Sequence, residues 1–307
     1  MKRKNDMQKF IGIIVALITP FKEDGSVYID GIKNEIEYLA SYGYKNLFIC
    51  GSYGSFPIMT TEERKLVSKH AVLFGKQCGM KSIVHIGSPS TKIAMDLSKY
   101  AEDIGADAIS AVVPFYYSRT IYNDKTYLKY FERIINNVSI DVHCYNNPNT
   151  TGFNVSVELL KQLMNIGLKG IKDGGNDLER TINILNFIDD DFDYYPSSTS
   201  AMVSNFIFGV KSCISGVALT MPGEIMQLYN KLNNTMLNSL DITNSFKLIM
   251  KVRSILGQRC GRAISAYDIL NYKGIDVGIC REPWLSLNKE DSLWLINELK
   301  ALGVIND

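Results

Sequence analysis

The chain carries no surplus of charge: 33 Lys and Arg against 32 Asp and Glu leave a formal net charge of +1 over 307 residues. Without a large field of one sign there is nothing to attract nucleic acid or an anionic membrane, so selectivity has to come from a local site. A small molecule is the expected partner. Histidine is scarce, at three residues, and none stands at metal-ligand spacing. The six cysteines, Cys50, Cys78, Cys144, Cys213, Cys260 and Cys280, are scattered and include no C-x-x-C pair. Neither a zinc site nor a disulfide framework is suggested, and reduced cysteines in a core are expected. No apolar run reaches the ~18 residues of a membrane span. The basic start, Met1 to Asp6, is followed by a short apolar stretch, Phe10 to Leu17, and then by Pro20 and charged residues instead of a small-residue cleavage site. A cytoplasmic protein is expected. No G-x-G-x-x-G opens a helix, which removes the usual dinucleotide turn, and no cofactor or metal is called for.

What is present is a hydrophobic fraction of 46%, enough for one large core. Short β-branched runs alternate with longer amphipathic segments, the pattern of parallel strands joined by helices. Eight strands are predicted, at Gly12–Ile18, Asn46–Cys50, Ser82–Ile86, Ala108–Val113, Ile140–Tyr145, Gly167–Lys172, Phe192–Tyr195 and Ser212–Val217. Helical periodicity lies between them near 29–42, 61–75, 91–104, 124–137, 155–165, 177–188, 199–209 and 222–235, and continues without strands at 241–257, 262–271 and 288–302. Eight strand–helix units predict an α/β fold, a (β/α)₈ TIM barrel over residues 1–238, with a C-terminal helical extension over 239–307.

In a barrel of this kind the catalytic groups sit at the C-terminal ends of the strands. Three segments there carry chemistry: Gly51-Ser52-Tyr53-Gly54-Ser55, Tyr145-Asn146-Asn147-Pro148 and Gly170-Ile171-Lys172-Asp173. Lys172 alternates with Ile171, so if Ile171 meets the helices the lysine points inward. Burial there lowers an amine's pKa and supplies the neutral nucleophile that attacks a ketone. An outward, solvated lysine is the plainer reading of one strand residue taken alone. On the fifth strand Ile140, Val142 and Cys144 share one face and Asp141, His143 and Tyr145 the other, which turns Tyr145 inward beside Lys172. A phenol there can move protons through an imine cycle, or it can cap the barrel against a loop carbonyl. His143, a layer deeper, reads as a hydrogen-bonded core histidine. The Gly51–Ser55 turn can expose amides to a carboxylate, although such turns also occur as plain loops.

With these pieces placed, the chain resembles the N-acetylneuraminate lyase and dihydrodipicolinate synthase family of class I pyruvate-dependent aldolases, over nearly its whole length. The matching segments are Ala16 to Phe21, the turn Gly51–Gly54, Pro114-Phe115-Tyr116-Tyr117, Tyr145 to Pro148 with Thr151-Gly152, Gly170 to Asp173, and Gly278 to Pro283. The resemblance implies that Lys172 forms a Schiff base with a 2-oxo acid, Tyr145 moves protons, and Ser52 and Tyr53 hold the pyruvate carboxylate, with backbone from Ile214. It also implies that Tyr116 crosses a dimer interface to support a neighbouring site in a homo-oligomer, a dimer or a tetramer.

The departures concern the substrate. Synthases of the family carry an arginine where Thr150 stands, and sialic acid lyases carry acidic residues in the stretch occupied here by Ser197, Ser198, Thr199 and Ser200. Tyr53 replaces a threonine of the proton relay, and Ser55 replaces a glutamate. A neutral, hydroxyl-rich pocket follows, which favours reversible cleavage of a 2-keto-3-deoxy sugar acid to pyruvate and an aldehyde. The alternatives are dihydrodipicolinate synthase-type condensation, N-acetylneuraminate lyase activity, or a non-catalytic barrel that binds pyruvate or another 2-oxo acid.

Overall fold

The computed structural model describes residues 10–175, 177–233, 239–259 and 261–306. The basic start, Cys260, the end of the helix expected near 222–235 and the boundary expected at 238/239 touch residues outside that set.

Eight strands alternate with helices. In chain order they are β1 (Gly12–Ala16), α1 (Ile29–Ser41), β2 (Asn46–Ile49), α2 (Thr61–Gln77), β3 (Lys81–His85), α3 (Thr91–Asp103), β4 (Ala108–Val112), α4 (Asp124–Ile135) and β5 (Asp141–Asn146). There follow α5 (Pro148–Thr151), α6 (Val157–Asn165), β6 (Gly170–Asp173), α7 (Leu178–Leu185), β7 (Asp193–Pro196), α8 (Met202–Ile207), β8 (Ser212–Ser215), α9 (Val217–Thr220) and α10 (Pro222–Leu232). Three helices close the chain: α11 (Ser239–Ile255), α12 (Arg262–Tyr272) and α13 (Lys289–Ala301). The strands form one sheet in the order β7-β6-β5-β4-β3-β2-β1-β8, and the pairs from β3 to β7 are parallel. This is the strand order of a (β/α)₈ barrel, as the sequence pattern predicts.

Strands covered on both faces need apolar or fully bonded residues throughout. Every residue of β1, β2, β4, β6, β7 and β8 is buried. The helices are amphipathic and their first turns are satisfied locally. Thr60 and Glu63 form a reciprocal capping box on α2, and Ser90, Asn123, Ser156, Asp177 and Asn288 each accept a backbone N–H at the start of a helix. No helix among the described residues is long and apolar enough to cross a membrane.

Two compact units make up the chain, the residues up to Ile14 with Lys81–Ile214, and Val15–Met80 with Ser215 onward. In the first, α3 to α8 cover β3 to β7. In the second, α11, α12 and α13 accompany α9 and α10 in one unit with α1 and α2.

Some boundaries differ from the sequence pattern. The sixth strand begins at Gly170 and not at Gly167, because Gly167 has φ +106° and ends α6 through its N–H to the Met164 carbonyl. The eighth strand stops at Ser215, after which Val217–Thr220 is helical. Pro148, fixed at a helical φ, starts the short α5 directly after β5. Expected helix 199–209 is a 3₁₀ turn, Thr199–Ala201, followed by α8.

Gly170 marks how tightly β6 fits its neighbours. A Cβ there would come within 2.7 Å of the Asp193 carbonyl oxygen and 2.8 Å of the His143 ring. Backbone cannot yield as a side-chain tip can, so Gly170→Ala is expected to destabilise by about 1–3 kcal/mol. The midpoint of urea unfolding measures it, and an unchanged midpoint would contradict this packing.

Candidate active site

The geometry begins with the register between β5 and β6. Tyr145 pairs with Lys172 and Asn146 with Asp173, so each pair shares a face of the sheet. Asn146, Ile171 and Asp173 take the outer face. Asp173 Oδ2 accepts from Arg180 Nε at 2.6 Å, and Asp173 Oδ1 accepts from Asn146 Nδ2 at 2.7 Å and from the Gly175 N–H at 3.0 Å. Asn146 also donates to Asn154 Oδ1 at 2.8 Å and accepts from the Val155 N–H at 3.0 Å. This buried cluster ties the ends of both strands to the segments that follow them. Asn146 and Asp173 lie in two of the segments the sequence singles out, though without a role of their own there, and Arg180 and Asn154 lie outside them.

Lys172 and Tyr145 take the opposite, inner face, as alternation predicts. Lys172 is only 5% exposed, and its Nζ lies 3.9 Å from the centroid of the Tyr145 ring. Burial lowers the lysine pKa below its ordinary value, a shift that the hydrogen bond and charge interaction with Tyr145 oppose in part. The Tyr145 hydroxyl accepts from Asn147 Nδ2 at 3.1 Å. His85 meets the Tyr145 ring edge-on at 5.8 Å between centroids, and its Nε2 accepts the Val112 N–H at 3.2 Å. An accepting Nε2 puts the neutral ring's proton on Nδ1. A Cβ on Gly87 would fall within 2.8 Å of His85 Nε2 and 2.7 Å of the Val112 nitrogen, so glycine is what lets the imidazole sit there. His85 escaped the sequence reading; its one signal was its place at the C-terminal end of a strand.

Tyr195 pairs with Lys172 from the other side. Its hydroxyl meets His143 Nδ1, while His143 Nε2 lies 3.5 Å from Asp193 Oδ2. His143 is fully buried and Asp193 only 3% exposed, and burial holds the Tyr195 phenol far above its ordinary pKa. His143 is thus a bonded core residue, the role its deeper layer predicts.

The remaining candidates divide by position. Thr150 is exposed on α5 and donates to the Asn147 carbonyl at 3.2 Å. Ser197 is tied by N–H and hydroxyl to the Asp173 carbonyl at 2.8 and 3.3 Å, Ser198 and Ser200 join hydroxyls at 2.8 Å, and Thr199 is 6% exposed. Tyr116, at φ +94° and 89% exposed, stacks edge-on with Tyr117 and makes no described contact with Lys172 or Tyr145. Ile214 is buried on β8. The Gly51–Ser55 turn is closed by Ser55 N–H to the Ser52 carbonyl at 3.3 Å and by Thr19 Oγ1 to the Gly54 carbonyl at 2.7 Å. Ser55 itself is 1% exposed. The Tyr53 ring lies against Gly216, where a Cβ would approach it to 2.3 Å.

The lowered Lys172 pKa carries a stability cost. An unfolded lysine binds its proton with pKa ~10.4, so the native state loses stability as pH falls below that value, and the loss is complete below the folded pKa. Lys172→Met is therefore expected to be more stable than the parent, with a larger gain at pH 7 than at pH 10. Urea unfolding at both pH values measures this, and a gain independent of pH would contradict a depressed lysine.

Comparison with known proteins supplies the family. Residues 9–302 match the dihydrodipicolinate synthetase family. A 4-hydroxy-tetrahydrodipicolinate synthase of Acetivibrio thermocellus is 32% identical over 299 residues, covering 96% of this chain and 98% of the relative. Among solved structures, YagE, a prophage protein of the dihydrodipicolinic acid synthase family from E. coli K12 in complex with pyruvate, has a TM-score of 0.88 at 21% identity, over 97% of this chain and 100% of its own. The sialic acid aldolase of Ruminococcus gnavus has a TM-score of 0.89 at 20% identity, over 96% of this chain and 97% of its own. The barrel is thus shared along the whole chain, and the protein belongs to the dihydrodipicolinate synthetase family as an enzyme of its class I pyruvate-dependent aldolase type.

Proposed function

We propose that the enzyme reversibly cleaves a 2-keto-3-deoxy acid to pyruvate and an aldehyde through a Schiff base on Lys172. The observation that carries this reading is the buried Lys172 amine 3.9 Å from the Tyr145 ring. A desolvated amine is neutral in a larger fraction near neutral pH and attacks the C2 ketone. The resulting carbinolamine loses water once its hydroxyl is protonated, and Tyr145 is the group placed to give that proton and take one back. In the protonated imine the C4 hydroxyl gives up its proton to Tyr145, the C3–C4 bond breaks and the aldehyde leaves. The electron pair becomes the enamine, which is protonated at C3 and hydrolysed to pyruvate and free Lys172. Asn147 and His85 hold the Tyr145 side chain in place.

The amides of the Ser52–Tyr53 turn and the backbone near Ile214 receive the pyruvate carboxylate in this reading. Thr150, Ser197 and Thr199 line the approach of the aldehyde half. The exposed Tyr116 is the side chain offered to a second subunit of a homo-oligomer. Condensation of the synthase type is a second reading, favoured by the name of the Acetivibrio thermocellus relative. Against it stands Thr150, whose hydroxyl cannot replace a bidentate guanidinium toward a carboxylate.

Borohydride reduction in the presence of pyruvate should leave a pyruvate-sized adduct on Lys172, read by peptide mass spectrometry. Lys172→Ala should form no adduct and show no turnover, and Tyr145→Phe should slow turnover by ~10²-fold or more. A folded parent without adduct would overturn the reading, and an undiminished Tyr145→Phe would remove Tyr145 from it. Pyruvate release from a panel of 2-keto-3-deoxy acids separates cleavage from condensation.

A further inference from the structure

A concavity of about 450 Å³ lies within the unit that holds α1 and the C-terminal helices. Its walls are Tyr38 of α1, Tyr42 just after that helix, Tyr272 and Lys273 at the end of α12, and residues 304–306 after α13. Tyr42 precedes β2 and the Gly51–Ser55 turn follows it, so the concavity and the turn belong to opposite ends of that strand. Catalytic groups of a (β/α)₈ barrel gather at the C-terminal strand ends, and this place is at the other.

Aromatic rings form much of the wall. Tyr38 and Tyr42 meet edge-on with centroids 5.3 Å apart, and the rings of Tyr42 and Tyr272 remain exposed. A phenol has an apolar face and a polar tip, so such a wall accepts a flat apolar body while its rim stays wet. Lys273 is the charged side chain among these walls. Its Nζ donates to the Thr220 carbonyl at 2.9 Å and to the Tyr38 hydroxyl at 3.3 Å, two bonds for a group with three donors.

Exposed Lys33, Lys99 and Lys129 each pair with a glutamate, whereas among the described residues the half-buried Lys273 forms no ion pair with an acidic side chain. Glu224, in the first turn of α10, acts on it only from beyond ion-pair distance. Burial lowers the Lys273 pKa, as expected of an ammonium that has lost water without gaining a counter-charge. Lys300 adds a second positive charge, its Nζ 5.2 Å from the centroid of the Tyr272 ring. A lysine at a helix end often bonds a nearby carbonyl, but that role accounts for neither its third N–H nor the exposed rings beside it.

We propose that this concavity binds a small organic anion, a carboxylate on a flat apolar body, with Lys273 receiving the carboxylate and the Tyr42 and Tyr272 rings enclosing the body. The volume is near the lower end of the ~300–1,000 Å³ usual for ligand sites, which suits a body of a single ring. One ammonium is a point charge and not a fork of donors, which suits a monoanion better than a phosphate. The inference is independent of the aldolase reading, because none of these residues lies in a segment assigned to the imine chemistry.

Calorimetric titration of the full chain with benzoate against benzamide, and with 3-phenylpropanoate against its amide, tests the site. At least one acid should bind roughly 10- to 100-fold more tightly than its amide, the range for a charge-assisted hydrogen bond. Lys273→Met should bring that ratio to near one. Tyr272→Ala alters an exposed side chain, which guards against misfolding, and should weaken the acid by roughly 3- to 10-fold. Lys172→Met should bind the acid as the parent does. No binding of either acid, a ratio near one in the parent, or a ratio unchanged in Lys273→Met would overturn the proposal. So would an acid bound equally well by Tyr272→Ala. Loss of binding in Lys172→Met would also overturn it, because the acid would then occupy the candidate active site.

Discussion

The site depends on one constraint, the register that sets Tyr145 beside Lys172. In a parallel sheet, paired residues project to the same face, and a slip of one residue would turn both to the helices. Asn146 and Asp173 oppose such a slip, since their bond at 2.7 Å depends on Asn146 pairing with Asp173. The inner face would otherwise reject a lysine, because burying an amine is costly unless the amine loses its charge. In the proposed reading the same burial makes Lys172 a nucleophile. Stability and reactivity are therefore set by one group, with the cost offset by apolar burial elsewhere, at roughly 1.5–3 kcal/mol for each fully buried Ile, Leu or Phe.

Around that pair the polar interior is divided by depth. His143 and Tyr195 share a hydrogen bond in the buried interior, with Asp193 Oδ2 3.5 Å from His143 Nε2. His85, one strand from Tyr145, bonds the Val112 backbone and presents only its ring edge to the phenol. Tyr145 is thus flanked by groups that hold bonds of their own. That is a suitable arrangement for a cycle in which one proton carrier serves several steps.

In the proposed reading substrate choice falls to different elements. The strand ends supply the imine chemistry, while the turn after β2 and α5 bear on the rest of the substrate. Thr150 is exposed on α5, and the hydroxyls of Ser197, Ser198 and Ser200 are bound locally.

The eight strand–helix units, the inward turn of Lys172 and Tyr145 and the core role of His143 were legible from the chain, because alternation along a strand is a local property with a period of two. Strand ends were less so: Gly167 looked like the start of β6 until its left-handed φ assigned it to the end of α6. What only the tertiary structure decided were the meetings of residues far apart in sequence. His85 reaches Tyr145 across β4, and the Tyr53 ring meets Gly216 from a turn far earlier in the chain. No periodicity records such encounters, since they follow from how helices pack and from the missing Cβ atoms at Gly87 and Gly216. The sequence by itself determined the barrel and the face on which its amine lies, whose causes are local, and the folded chain decided which distant residues meet.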